Sequence, residues 1–197
     1  SFVLDFAFRT HTGLVRPLNE DAIGADPACS LFVLADGLGG YSAGEVASVM
    51  AVSAVLDRLS SALARSRATG VPFAPDQVMY DTVTDINGTI FHAALHSSAY
   101  DGMATTLVTA WFLEERLWIA HTGDSRLYRF RNGELEQLTH DHSCSQELLD
   151  AGMVTEEEAR VLPAKNLVTR ALGAAADIEP EIRDVDVQVG DLLMLCS

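Results

Sequence analysis

The sequence predicts an antiparallel α+β sandwich, and three observations predict it. Short apolar or alternating segments come first, two long helical patterns follow, and a meander of closely spaced strands comes after them. Strands gathered into runs fit antiparallel pairing and fit poorly with a regular βαβ array. Hydrophobic residues make up 48% of the 197 and charged residues 21%, a balance that suits one globular domain of ordinary size with a substantial core.

Residues 2–10, 22–27 and 30–36 read as strands. Leu31-Phe32-Val33-Leu34-Ala35 is continuously apolar, as a strand covered on both faces should be, and it runs straight into Asp36-Gly37-Leu38-Gly39-Gly40. Ser42, with Glu45 three residues on, spells a capping box that opens a helix to about Ala64. Ala43, Ala47, Ser48 and Ala51 along it would allow close packing on a sheet. Residues 66–75, with Gly70, Pro72 and Pro75, read as a loop, and a second helix is expected over about 76–98. Strands follow at 104–113, 116–122 and 125–131. Arg131-Asn132-Gly133-Glu134 is a hairpin turn leading to a strand at 134–138. Helical pattern returns at 143–151 and 155–161, and strands at 180–187 and 191–196. There is no internal repeat, low-complexity tract or linker, so a single domain is expected.

Composition excludes some function classes. A net charge of −15 argues against nucleic acid, whose phosphates must be met by clustered Lys and Arg. No stretch approaches the roughly 18–20 uninterrupted apolar residues of a membrane helix, and the start has no basic segment followed by an apolar one, so no signal peptide is expected. Cys29, Cys144 and Cys196 are far apart and form no C-x-x-C pair, which suits reduced thiols and a cytoplasmic setting.

Three constellations carry chemistry: Arg16-Pro17-Leu18-Asn19-Glu20-Asp21, Asp36-Gly37-Leu38-Gly39-Gly40 at the end of a buried strand, and Gly123-Asp124-Ser125-Arg126 between two strands. Taken singly, each reads equally well as a solvated turn, a glycine-rich turn or a hairpin. Taken together, carboxylates at strand ends plus an arginine are what a two-metal hydrolase needs. Hard oxygen ligands hold Mg²⁺ or Mn²⁺, a shared carboxylate sets two ions about 3.5–4 Å apart, and an arginine fork receives phosphate oxygens. His92 and His96, four apart on a helix, lack a third ligand and read as a surface or packed pair. Trp111, Phe112 and Trp118 read as core, and Asp141 as a turn residue. His140 and His142 flank the 143–170 segment, where proton transfer is a second option for them.

On these residues the chain resembles the bacterial branch of the type 2C metal-dependent serine/threonine protein phosphatases, over essentially its whole length. The markers are Thr12 through Asp21, Val33 through Gly40, Met103-Ala104-Thr105-Thr106-Leu107, His121 through Arg126, Leu138 through Ser143, Asn166 through Gly173 and Gly190 through Ser197, in that order. The resemblance implies a four-layer α-β-β-α sandwich of two antiparallel sheets flanked by helices. It also implies hydrolysis of phosphoserine and phosphothreonine by a water bridging two Mn²⁺ or Mg²⁺ ions. Asp36 would bridge them, with the Gly37 carbonyl as a further ligand. Glu20 and Asp21 would bind the second ion or orient its waters, Asp124 would help hold a third, weaker ion, and Arg16 would hold the substrate phosphate. Residues 143–170 would form a flap beside the site. The expected partners are a phosphorylated protein and the kinase that the phosphatase opposes.

Two departures qualify this. Leu38 stands where some relatives carry a histidine that protonates the leaving group. The chain also stops at Leu195-Cys196-Ser197, where the family motif continues with Asp-Gly, so the sequence reads as a C-terminally truncated domain with weakened metal binding and little activity. A catalytically impaired phosphoprotein-binding module is therefore the alternative, and a small phosphorylated metabolite is a third candidate substrate.

Overall fold

The computed structural model describes residues 3–40, 43–165 and 167–197. The Ser42 half of the expected capping box lies outside them. In chain order the elements are β1 (Asp21–Asp26), β2 (Leu31–Leu38), α1 (Ala43–Thr69), α2 (Pro75–His96), β3 (Ala104–Thr105), β4 (Leu107–Leu113), β5 (Arg116–Thr122), β6 (Arg126–Arg131), β7 (Glu134–Gln137), α3 (Cys144–Asp150), α4 (Glu156–Val161), β8 (Glu181–Asp186) and β9 (Leu192–Cys196). A short 3-10 turn covers Ser98–Tyr100.

The larger sheet runs β1-β2-β4-β5-β8, with β3 also on β2; the smaller runs β7-β6-β9. All pairings are antiparallel. The expected α+β architecture of two antiparallel sheets with helices is the one observed.

Two cores follow from the two-residue period of the strands. Leu31, Val33 and Ala35, with Leu107, Trp111 and Ala120, face α1 and α2, meeting Ala47, Ala51, Val55 and Leu59 of the first helix and Met79, Val83, Ile86 and Ile90 of the second. The alternate residues Leu34, Val108, Ala110, Leu117 and Ile119 face the smaller sheet and pack on Leu127, Leu138, Leu193 and Leu195. Trp111 is wholly buried, stacks on Phe73 at 5.6 Å and donates its indole N–H to the Cys29 carbonyl.

Four expectations change. Residues 3–12 form no strand: a strand needs a ladder partner, and this segment has none among the described residues, although Phe6 packs edge-on against Phe32. The loop expected at 66–75 begins only at Gly70, because α1 runs on to Thr69 and Gly70, with φ of 69°, closes it by donating to the Ser66 carbonyl. The strand expected at 104–113 is interrupted at Thr106. There the side-chain hydroxyl, in place of a main-chain carbonyl, accepts the Asp36 N–H at 2.9 Å. By length and composition α1 also matches a membrane span, yet the apolar residues on one of its faces lie in the core beneath the larger sheet.

Candidate active site

The β1–β2 register sets Asp21 directly opposite Asp36. Like charges across a ladder repel, and Asp36 is half-buried at the strand end. Burial above all, then the Asp21 carboxylate and its hydrogen bond, then Asp124, push the Asp36 carboxyl from the usual 3.8 up to about 6, with Arg16 pulling the other way. Three other residues picked from sequence, Asp21, Asp124 and Arg16, thus act on the Asp36 carboxyl group.

Glu20 is held by its neighbours' backbone. Its carbonyl accepts from the Gly37 N–H at 3.1 Å and from the Ser48 hydroxyl at 2.6 Å. Gly37 and Gly44 face each other so closely that a Cβ on Gly37 would enter the Gly44 carbonyl, and one on Gly44 would strike Glu20 Oε1. Two glycines therefore let the first turn of α1 touch the end of β2, with the Glu20 carboxylate beside them. Glu20 Oε1 is buried there and finds no hydrogen-bond partner among the described residues.

Asp124 sits in the turn between β5 and β6. Burial, opposed by a hydrogen bond from its own backbone and helped by Asp141, raises its carboxyl. Thr106 joins this turn to Asp36: its hydroxyl bonds Ser125 Oγ at 2.6 Å, and its N–H donates to the Asp36 carbonyl at 2.9 Å. Arg16 lies exposed in the preceding turn and makes no ion pair among the described residues. Ser197 Oγ donates to Asp21 Oδ2 at 3.1 Å. Beside Asp124 opens a groove of about 520 Å³, lined by Arg126, Ser143, Arg160 and Lys165 among others.

The sequence pattern assigns no role to Thr106, Ser125 or Ser197, although all three stand inside the family markers. Asp141 is more than a turn residue: buried, it takes Arg126 Nε and Nη2 and Gln137 Nε2 at 2.6–3.0 Å. His140 Nε2 pairs with Asp150 at 2.6 Å. His92 and His96 are exposed, and His96 Nδ1 turns to the His92 carbonyl.

The residues present fit divalent cations. Three carboxylates crowd together, one of them pushed toward its neutral form, and a buried carboxylate oxygen lacks a donor among the described residues. Such a set is costly without a counter-cation, and all of its donors are hard oxygens, which suit Mg²⁺ or Mn²⁺.

A family model described as protein phosphatase 2C matches residues 13–196. The chain belongs to that family. It is 37% identical over 193 residues to the serine/threonine phosphatase stp of Listeria innocua, covering 96% of this chain and 75% of that relative. To the serine/threonine protein phosphatase PstP of Mycobacterium tuberculosis it is 36% identical over 206 residues, spanning the whole of this chain and 36% of that one. The crystal structure of the M. tuberculosis phosphatase superposes with a TM-score of 0.83 at 37% identity, covering 96% of this chain and 76% of that one. A structure of the PstP catalytic domain with two manganese ions gives 0.78 at 36% identity, covering 96% and 75%.

Proposed function

We propose that this protein is a metal-dependent phosphatase that hydrolyses phosphoserine and phosphothreonine in proteins. The observation that carries the reading is the facing pair Asp21 and Asp36, which among the described residues has only the exposed Arg16 acting against its charge. Relatives more than a third identical to this chain over the aligned residues are named serine/threonine phosphatases, and the catalytic domain of one was crystallised with two manganese ions.

In this reading Asp36 would hold two ions, with the Gly37 carbonyl as a further ligand; Glu20 and Asp21 would bind the second ion or orient its waters, and Asp124 would contribute to a third, weaker one. When bound, such ions supply Lewis-acid charge and make hydroxide available near neutral pH. Arg16 offers its guanidinium fork to the phosphate oxygens and fixes the phosphorus relative to the carboxylates. Leu38 has no acidic proton to give, so leaving-group protonation falls to a water or a nearby side chain. Residues 143–170 act as a flap beside the site, and the 197 residues belong to one catalytic domain. The partners are a phosphorylated protein and the serine/threonine kinase that it opposes, in the cytoplasm. Leu38 favours the second reading, a phosphoprotein-binding module without turnover.

Phosphate release in Mn²⁺ from a phosphothreonine peptide, a phosphotyrosine peptide and a small phosphorylated sugar separates these. The proposal expects the first to be consumed fastest. Preference for the sugar would replace the substrate class, and binding of the phosphothreonine peptide without turnover would establish the module.

A further inference from the structure

His142 is almost wholly buried between the Asp124 turn and the start of the 143–170 segment, and it is committed on four sides. Its N–H donates to the Gly123 carbonyl at 2.9 Å, and its Nδ1 accepts the Gly123 N–H at 3.1 Å, so one residue grips the peptide groups just before Asp124 from both ends. Its carbonyl accepts the Thr169 N–H at 2.9 Å; beside it Ser143 bridges Val168, and Cys144 N–H donates to the Leu167 carbonyl at 2.9 Å, which closes the base of the segment. Its ring lies parallel to that of His121, 5.0 Å away and tilted by 7°.

His121, His142 and Glu181 approach one another closely enough to suggest a metal site. The rings exclude it. Parallel stacked imidazoles cannot both aim an in-plane lone pair at one ion, and His142 Nδ1, as acceptor, leaves the proton on Nε2, the atom nearer Glu181. His121 likewise directs its Nε2 to the His140 carbonyl at 2.8 Å, which makes that atom a donor.

We propose that His142 is a positioning residue of this phosphatase site, latching the base of the 143–170 segment to the Asp124 turn so that the two are placed together. Gly123 needs such a latch: its φ of 103° is open to few residues but glycine, and a Cβ there would strike Thr106, so this position of the turn has no side chain of its own to hold it. The role needs a neutral ring with a free Nδ1. Burial first, then the His121 ring, holds His142 down to about 4, which keeps it neutral at ordinary pH.

The inference rests on the reading of Asp124 as part of the phosphatase site, and the test separates the two. In the metal-free full chain, ¹⁵N NMR reads the tautomer of His142 and hydrogen exchange reads the Gly123 amide. The proposal expects the Nε2–H tautomer and a protected amide in the wild type. His142→Leu should lose that protection and weaken the weakest Mn²⁺ binding step, read by calorimetry, by about tenfold, the scale of a lost supporting contact at a metal site. His142→Asn, whose Oδ1 falls near the Nδ1 position, should restore both. An Nδ1–H tautomer in the wild type overturns the proposal even if the leucine variant fails to fold, and so does a folded leucine variant with a protected Gly123 amide. If the wild type binds no Mn²⁺, the phosphatase reading fails, and the tautomer and the amide decide the latch alone.

Discussion

Asp21 and Asp36 face each other across the β1–β2 ladder, and the carboxyl of Asp36 is held near 6 by burial and by its partner. Two acids in that position oppose folding unless a cation joins them, so the site trades stability for binding.

The sign of the pH dependence follows. The folded-state value, about 6, lies above the usual 3.8, so the folded state favours the protonated acid. The contribution to stability is full below 3.8 and is lost as pH rises through 6. Metal-free protein should therefore lose stability on this account between pH 4 and 6, as roughly that interval is where the group titrates. The rise in Tm on adding Mn²⁺ should be larger at pH 7 than at pH 5, because the ion replaces the proton. Scanning calorimetry at both pH values with and without Mn²⁺ reads this.

Asp36→Asn removes the repulsion and keeps the shape. In metal-free buffer at neutral pH it should be more stable than the wild type by roughly 1 kcal/mol, the scale of a like-charge pair across a ladder, and should gain little from Mn²⁺. Urea unfolding in chelator and in Mn²⁺ measures both.

Arg16 is exposed and makes no ion pair among the described residues, so its loss should spare the fold. Arg16→Ala should lower kcat/KM for a phosphothreonine peptide by about 10–100-fold, the worth of one charged hydrogen-bond pair, with Tm unchanged. Steady-state kinetics beside a melting curve separates the two effects.

Thr106→Val keeps the volume and deletes a hydroxyl that serves the Asp36 N–H and Ser125 Oγ. Leaving those buried groups without a partner should cost about 1–3 kcal/mol and slow turnover, since the same hydroxyl ties the Asp36 strand to the Asp124 turn. Denaturant midpoints and initial rates on one preparation check it.

Arg126→Met leaves the buried Asp141 carboxylate with the Gln137 amide as its one remaining side-chain partner among the described residues. It should destabilise by more than Thr106→Val, and Arg126→Met combined with Asp141→Leu should recover part of the loss, because a buried ion pair costs most when broken from one side. A double-mutant cycle in urea measures the recovery.

What was legible in sequence was whatever local pattern determines. The strand at 116–122 and the Asn132-Gly133 hairpin lie where expected, the latter with φ of 52° and 85° as its turn type requires. Asp36 stood out because an acid ending a buried apolar strand is anomalous in itself. The strand expected at 2–10 misled because Phe6 and Phe8 carry a strand's alternation, and alternation cannot supply a ladder partner. The roles of Thr106 and of His142, which the sequence marks only as flanking the 143–170 segment, were hidden for a related reason: a hydroxyl bonded to an amide 70 residues away and a ring gripping Gly123 from 19 residues away take their meaning from tertiary neighbours.

The most direct measurement is the initial rate of phosphate release from a phosphothreonine peptide as Mn²⁺ is titrated, for the wild type and Asp36→Ala side by side. The account predicts a saturable Mn²⁺ dependence in the wild type, abolished by chelation, and a rate at least about 100-fold lower in the variant, the loss expected when a principal charge-stabilising group is removed. Hydrolysis indifferent both to chelation and to the loss of Asp36 would contradict it.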